Sequence, residues 1–134
     1  MTQYAPIVPM LSYEDAPAAI GFLTAAFGFE AGEPWVMEDG RIGHCELSRD
    51  GVVQLTLASA YPEMGMQSPR ALDTRYSQLL VQVDDVDAHH DVAVEHGAVV
   101  SAPPATQGHG NRIYRAVDPE GHRWIFSQSV ATAP

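Results

Sequence analysis

The chain of 134 residues contains one cysteine, Cys45, so no internal disulfide can form. Its N-terminus lacks the basic start and apolar core of a signal peptide. Both features predict a cytoplasmic protein. No apolar run approaches the ~18 residues that a membrane span needs. Basic residues are scarce, seven against seventeen acidic ones, for a formal charge of −10. Phosphate backbones and anionic membrane surfaces would be repelled, so neither nucleic acid nor membrane is expected as a partner. The acidic excess serves solubility first, and beyond that it suits a cationic or neutral small molecule. There is no Ser-His-Asp order, Walker loop or dinucleotide fingerprint, and Gly108-His109-Gly110 alone reads as a flexible loop.

What is present is a core and clear punctuation. Hydrophobic residues make up 46% of the chain, enough for one domain or two small modules sharing a sheet. Ile7 to Tyr13 reads as an opening strand. Asp15 caps a helix with Pro17 in its first turn, Ile20, Phe22, Leu23, Ala26 and Phe27 recur at helical spacing, and Gly28 stops it. Three extended pieces follow: Pro34 to Met37, Ile42 to Leu47 and Val52 to Leu57. Their turns fall at Asp39-Gly40 and Asp50-Gly51, a strong hairpin signal. Ser59 to Thr74 is a long connecting loop. The pattern then restarts with a strand from Gln78 to Val83 and a helix capped by Asp85 and stopped by Gly97. A short extended piece runs from Ala98 to Ser101. A loop through Pro103-Pro104 and Gly108-His109-Gly110 leads to a strand from Asn111 to Val117. The turn Asp118-Pro119-Glu120-Gly121 opens the last strand, with Trp124 and Phe126 on the core side and Arg123 and Ile125 on the other.

The two runs align at an offset of 70: Asp15 on Asp85, Ala18 on Ala88, Gly51 on Gly121. Each is strand, helix, then three strands. The predicted fold is α+β: two tandem βαβββ modules, about 1–59 and 75–130 around a connecting loop at about 60–74. Neither module can bury both faces of its sheet alone. The expectation is one curved mixed sheet with helices on the convex side and a concave cleft.

Four motifs in this order carry a resemblance that covers essentially the whole chain. They are Asp15 with its alanine-rich helix ending Ala26-Phe27-Gly28-Phe29-Glu30; Asp39-Gly40-Arg41-Ile42-Gly43-His44; Val83-Asp84-Asp85-Val86-Asp87-Ala88; and Asp118-Pro119-Glu120-Gly121-His122-Arg123-Trp124. The chain resembles the vicinal oxygen chelate superfamily of glyoxalase I, extradiol dioxygenases and fosfomycin- and bleomycin-resistance proteins, and within it an uncharacterised glyoxalase-like branch. The resemblance implies a homodimer and, in the superfamily's enzymes, a divalent metal in the cleft. The metal's ligands would fall at Val8 and Gln78 on the first strand of each module, and at Leu55 and Ile125 on the last. Three of these are aliphatic. If Leu55 and Leu57 form a core face instead, Gln54 or Thr56 takes the cleft position. Either set holds a divalent cation poorly, so the expectation is no metal and no cofactor.

The remaining candidates are ligand contacts. His44 and Glu46 share a strand face and are the candidate catalytic pair, a base and its orienting carboxylate; a polar pair on a solvated face is the plainer reading. Trp35, Tyr61 and Tyr114 are aromatic residues bordering the cleft, Gln54, Gln78 and Gln82 supply amides, and Arg112 and Arg123 fixed donors. Cys45 points the other way, into the core. The helical His89 and His96 read as solvated, and His109 as a rim residue. The expected function is metal-independent binding and sequestration of a drug-like or metabolic ligand, cationic or planar, as in antibiotic resistance. The alternatives are a lyase, isomerase or hydrolase using His44 and Glu46 with an arginine, with or without a divalent metal, and a non-catalytic regulatory module.

Overall fold

The computed structural model describes residues 2–72 and 77–128. It divides into two compact units, Met1–Asp73 and Thr74–Pro134. Among the described residues no helix is long and apolar enough to cross a membrane.

The first unit runs β1 (Gln3–Tyr4), β2 (Met10–Tyr13), α1 (Ala16–Phe27), β3 (Glu30–Ala31), β4 (Trp35–Val36), β5 (Ile42–Arg49) and β6 (Val52–Ser59). Its sheet has the order β1-β6-β5-β3, with β2 on β6 and β4 on β5. The opening strand starts at Met10 rather than Ile7. Pro6 and Pro9 have no N–H for a ladder, and Ile7 is exposed. Asp15 accepts the N–H of Ala18 at 3.0 Å, and Gly28, at φ 82°, closes the helix. Ala19, Leu23, Ala26 and Phe27 form the buried stripe of α1, with Ile20 and Phe22 half-buried at its edge.

Asp50 and Gly51, both at positive φ (51° and 80°), make the tight turn that pairs β5 with β6. Cys45 lies opposite Leu57 and Leu47 opposite Leu55, all four buried. The intervening residues face the other way, Glu46 opposite Thr56, and Met10 of β2 also lies beside Thr56. The ladder slips between Leu47 and Ser48, which face Leu55 and Val53, so Gln54 is the extra residue of a bulge. The long connection is partly folded. It holds one-turn 3₁₀ helices at Pro62–Met64 and Pro69–Ala71 and a bridge between Tyr61 and Met66. Thr74, its expected end, lies outside the described residues.

The second unit runs β7 (Gln78–Gln82), α2 (Val86–Glu95), β8 (Val99–Thr106), β9 (Arg112–Val117) and β10 (Arg123–Gln128), in the sheet order β7-β10-β9-β8. Asp85 accepts the N–H of Ala88 at 3.1 Å, so both matched Asp and Ala pairs are a helix cap and its donor. The Pro103-Pro104 loop is a correction. Both prolines lie inside β8, a strand of 8 residues. They are tolerated there because β8 is the sheet edge and its pairing with β9 is broken by register shifts.

Asp118 organises the turn into β10. One carboxylate oxygen accepts the N–H groups of Glu120 and His122 at 3.0 and 3.1 Å. The other accepts the indole N–H of Trp124 at 3.1 Å, and both residues are buried. Gly121, at φ 95°, completes the turn. Trp124 stacks on Phe126 at 6.1 Å and Phe126 on Tyr114 at 5.0 Å, with the His89 ring of α2 at 4.2 Å from Phe126. His89 is therefore half-buried with its ring packed on the core, not a solvated residue.

Replacing Asp118 by Ala leaves the buried indole N–H and two turn amides without this acceptor. Each unsatisfied buried donor costs about 1–3 kcal/mol. Urea unfolding of Asp118→Ala is expected to show a loss of at least that size, with Asp118→Asn intermediate because its amide oxygen still accepts.

Candidate functional site

In each unit the helix lies over one face of the sheet, and the candidate groups are sorted by which face they occupy. In the first unit the buried face carries Leu47, Leu55 and Leu57. The Cys45 thiol belongs there too, and burial pushes its pKa up, away from nucleophilic use. Leu55 is thus a core residue. Thr56, opposite Glu46 and Met10, occupies the open face.

Glu46 and His44 share that face. The Glu46 carboxylate accepts a hydrogen bond from the Tyr4 hydroxyl of β1, and its Oε2 lies 3.4 Å from His44 Nε2. The Tyr4 hydroxyl, and after it His44, hold the Glu46 carboxyl below its ordinary value, while the same bond raises the pKa of Tyr4. Sequence reasoning missed Tyr4, because β1 joins β6 only through pairing across the sheet. Trp35, the cross-strand partner of His44, is 63% exposed. Its ring lies over Gly43, where a Cβ would come within 2.5 Å of Cε3 and Cζ3. Only glycine lets the indole lie flat there. Gln54 does not join this group, since it sits in the bulge and donates to the Val52 carbonyl at 3.5 Å. Tyr61 lies under the Arg41 guanidinium, 3.9 Å from its ring centre.

In the second unit the pairing of Phe126 with Tyr114 puts Tyr114 on the core side. Tyr114 is fully buried, and burial raises its pKa; as a ligand contact it is corrected. Arg112, two residues away, has the same facing and forms a two-point ion pair with Asp87 of α2 at 2.8 and 2.9 Å. It ties strand to helix and is likewise corrected. The opposite face carries Gln78, Leu80 and Gln82 of β7, Arg115 of β9, and Arg123 and Ile125 of β10. Arg115, missed from sequence, donates to the Gln78 side-chain oxygen at 3.3 Å. A cavity of 330 Å³ is lined there by Gln78, Ser101, Arg115, Val117, Arg123 and Trp124. His109 is exposed in its loop, where its Nδ1 accepts the Asn111 N–H at 3.3 Å. His96 ends α2.

The residues do not fit the divalent metal of the superfamily's enzymes. Leu55 points into the core, Ile125 has no donor atom, and Thr56 and Gln78 offer only neutral oxygens. Among the described residues no three His, Cys, Asp or Glu side chains come together to hold an ion.

The βαβββ order of the second unit, the matching strand–helix–hairpin order of the first, and the cap and hairpin positions define a family fold. The model of the Glyoxalase/Bleomycin resistance protein/Dioxygenase superfamily matches residues 6–126, and the chain belongs to that superfamily. An uncharacterised Mycobacterium bovis protein is 32% identical over 126 residues, covering 91% of this chain and 82% of its own. TioX from Micromonospora sp. ML1 is similar in structure, with TM-score 0.71 and 26% identity, over 97% of this chain and all (100%) of TioX. A glyoxalase I mutant from Zea mays shares the fold at TM-score 0.74 and 18% identity, over 97% of this chain and 45% of the maize chain.

The Tyr4 bond gives the first unit a pH dependence. The Glu46 pKa is depressed, so this stabilisation is present above the ordinary carboxylate range and is lost as pH falls through the folded value. Tyr4→Phe is expected to lower Tm near neutrality and to flatten the acid limb of a Tm-against-pH curve. An unchanged acid limb would show that Glu46 gains nothing from Tyr4.

Proposed function

We propose that the protein is a small-molecule-binding member of its superfamily that holds its ligand on sheet faces away from the helices, without a metal. The observation that carries this reading is a matched pair. Met10 and Leu80, 70 residues apart, hold equivalent places on the first strand of each unit, beside Thr56 and Ile125. They are 69% and 62% exposed. In the second unit the open Leu80 shares its sheet face with the amides of Gln78 and Gln82 and the guanidinium groups of Arg115 and Arg123, a mixture of apolar and polar groups that suits an organic ligand. Trp35 offers a face on which a planar or cationic ring can stack. Sequestration, as in the resistance proteins of the superfamily, needs no more than this.

A second reading has a specific observation behind it. Glu46 is fixed by Tyr4 and lies beside His44, the arrangement of a base and its orienting carboxylate. In that reading His44 takes a proton from the ligand. Arg112 does not serve as its electrostatic partner, since Asp87 already holds it.

A thermal-shift screen with planar aromatic antibiotics and aromatic metabolites tests the first reading. A ligand at about 100 times its Kd adds about 2.7 kcal/mol and is expected to raise Tm by roughly 10 °C. Leu80→Glu should remove the shift, and His44→Ala should keep it. A hit that the wild type converts and His44→Ala does not would move the assignment to the enzyme.

Pairing of two copies is part of the proposal. Ile7, Met10, Val36 and Met64 are also more than half exposed, apolar surface that a second copy would cover. Sedimentation equilibrium is expected to give twice the 14.5 kDa chain mass. A monomer at micromolar concentration would remove that part of the reading.

A further inference from the structure

The chain has no lysine, and its seven basic residues are all arginines, of which Arg75 lies outside the described residues. Of the other six, Arg41 is held by Asp39 and Glu63, Arg70 by Glu14, and Arg112 by Asp87, and Arg49 is also engaged. Among the described residues Arg115 and Arg123 have no carboxylate partner. Among the described residues the one side-chain contact of Arg115 is the neutral oxygen of Gln78, at 3.3 Å, and the Arg123 side chain has no hydrogen-bond or ion-pair partner.

These two lie together. Arg123 of β10 pairs with Val117 and Ile125 with Arg115, so the arginines are diagonal neighbours on one face of an antiparallel pair. Their Cβ atoms are then about 7 Å apart. Gln78 of β7 is the partner of Arg123 on its other side. All three line the 330 Å³ cavity together with Ser101, and among the described residues no acidic side chain lines it. Two like charges side by side repel each other, and among the described residues neither has a carboxylate beside it. Because the Gln78 oxygen faces Arg115, its amide NH₂ is the end left to donate. The polar side chains that line the pocket can all donate: two guanidinium forks, an amide NH₂ and the Ser101 hydroxyl.

We propose that this pocket binds the oxyanion of the ligand, a carboxylate or phosphate, by two-point hydrogen bonds from Arg115 and Arg123 with Gln78 completing the shell. The planar fork of arginine matches both groups. The net charge of −10 does not forbid this, because distant acidic residues are screened beyond about 8 Å at physiological salt. The inference rests on the open face of the second unit being a ligand site and gives the chemical class of the group anchored there. It departs from the cationic preference that total charge suggests.

The test is titration calorimetry of the full chain with benzoate, phenyl phosphate and inorganic phosphate, and with benzamide as the neutral counterpart of benzoate. Saturable binding of at least one of the three anions is expected, with benzamide about tenfold weaker than benzoate if the anchored group is a carboxylate. Whether phenyl phosphate and inorganic phosphate or benzoate binds tighter separates the two oxyanions. Arg123→Ala and Arg115→Ala should each weaken the anion by about tenfold or more, Arg123→Lys should recover part of the loss, and sodium chloride should compete. Both arginines are exposed, so melting curves of the variants should match the wild type. Equal binding of benzoate and benzamide, unchanged by Arg123→Ala, overturns the oxyanion assignment and leaves the small-molecule reading standing. Absence of binding by all three anions while neutral ligands still shift Tm overturns it in the same way. If neutral ligands fail as well, both fall together.

Discussion

The buried carboxylate of Asp118 is the contact on which the second unit depends. It closes the turn through the amides of Glu120 and His122 and fixes the indole of Trp124 from the same side. With Trp124 inward, alternation sends Arg123 and Ile125 outward. Ladder pairing then extends the choice to β9: Tyr114, opposite Phe126, is inward, and Arg115, opposite Ile125, is outward. One hydrogen-bonded side chain thus decides which face is core and which is turned away from the helix. A slip of one residue would exchange the two faces completely.

The first unit reaches the same arrangement without such a lock. Its hairpin turns at Asp50-Gly51, both exposed and at positive φ. Facing is set instead by the buried pairs Cys45 with Leu57 and Leu47 with Leu55. The bulge at Gln54 inserts one residue between the turn and these pairs. Met10 lies beside Thr56, 46 residues on, whereas Leu80 lies beside Ile125, 45 residues on. The offset of 70 that aligns the helices and first strands therefore becomes 69 on the last strands. Thr56, not Leu55, is the counterpart of Ile125.

Features settled within a few residues were legible in the sequence. The aspartate caps at Asp15 and Asp85, the stop at Gly28, the Asp-Gly hairpin and the inward Trp124 all follow from local stereochemistry. Together with the family motifs they gave the α+β fold of repeated modules. What depends on pairing between distant strands was not legible. Tyr114 and Arg112 were assigned to the open side because the facing of β9 is decided by its register with β10. Prolines argued against a strand at Pro103-Pro104, and only the edge position of β8 reverses that. Tyr4 lies 42 residues from the Glu46 it bonds, with nothing in the intervening sequence to join them.

The arginines show the same division in electrostatic form. Arg112 and Arg115 are three residues apart on one strand, yet they meet opposite environments because they face opposite sides of it. Arg112 finds Asp87 in the first turn of α2, so its charge is spent inside the fold as a strand-to-helix tie. Arg115 faces the other side, where among the described residues its one side-chain contact is Gln78 and Arg123 lies diagonal to it across the ladder. An exposed ion pair contributes little to stability, and an exposed unpaired arginine costs little. Folding energy therefore does not account for two cations being placed together on the open face. In the proposed reading their placement serves an anion that reaches that face from solution, and it is set by local geometry against the sign of the whole chain's charge.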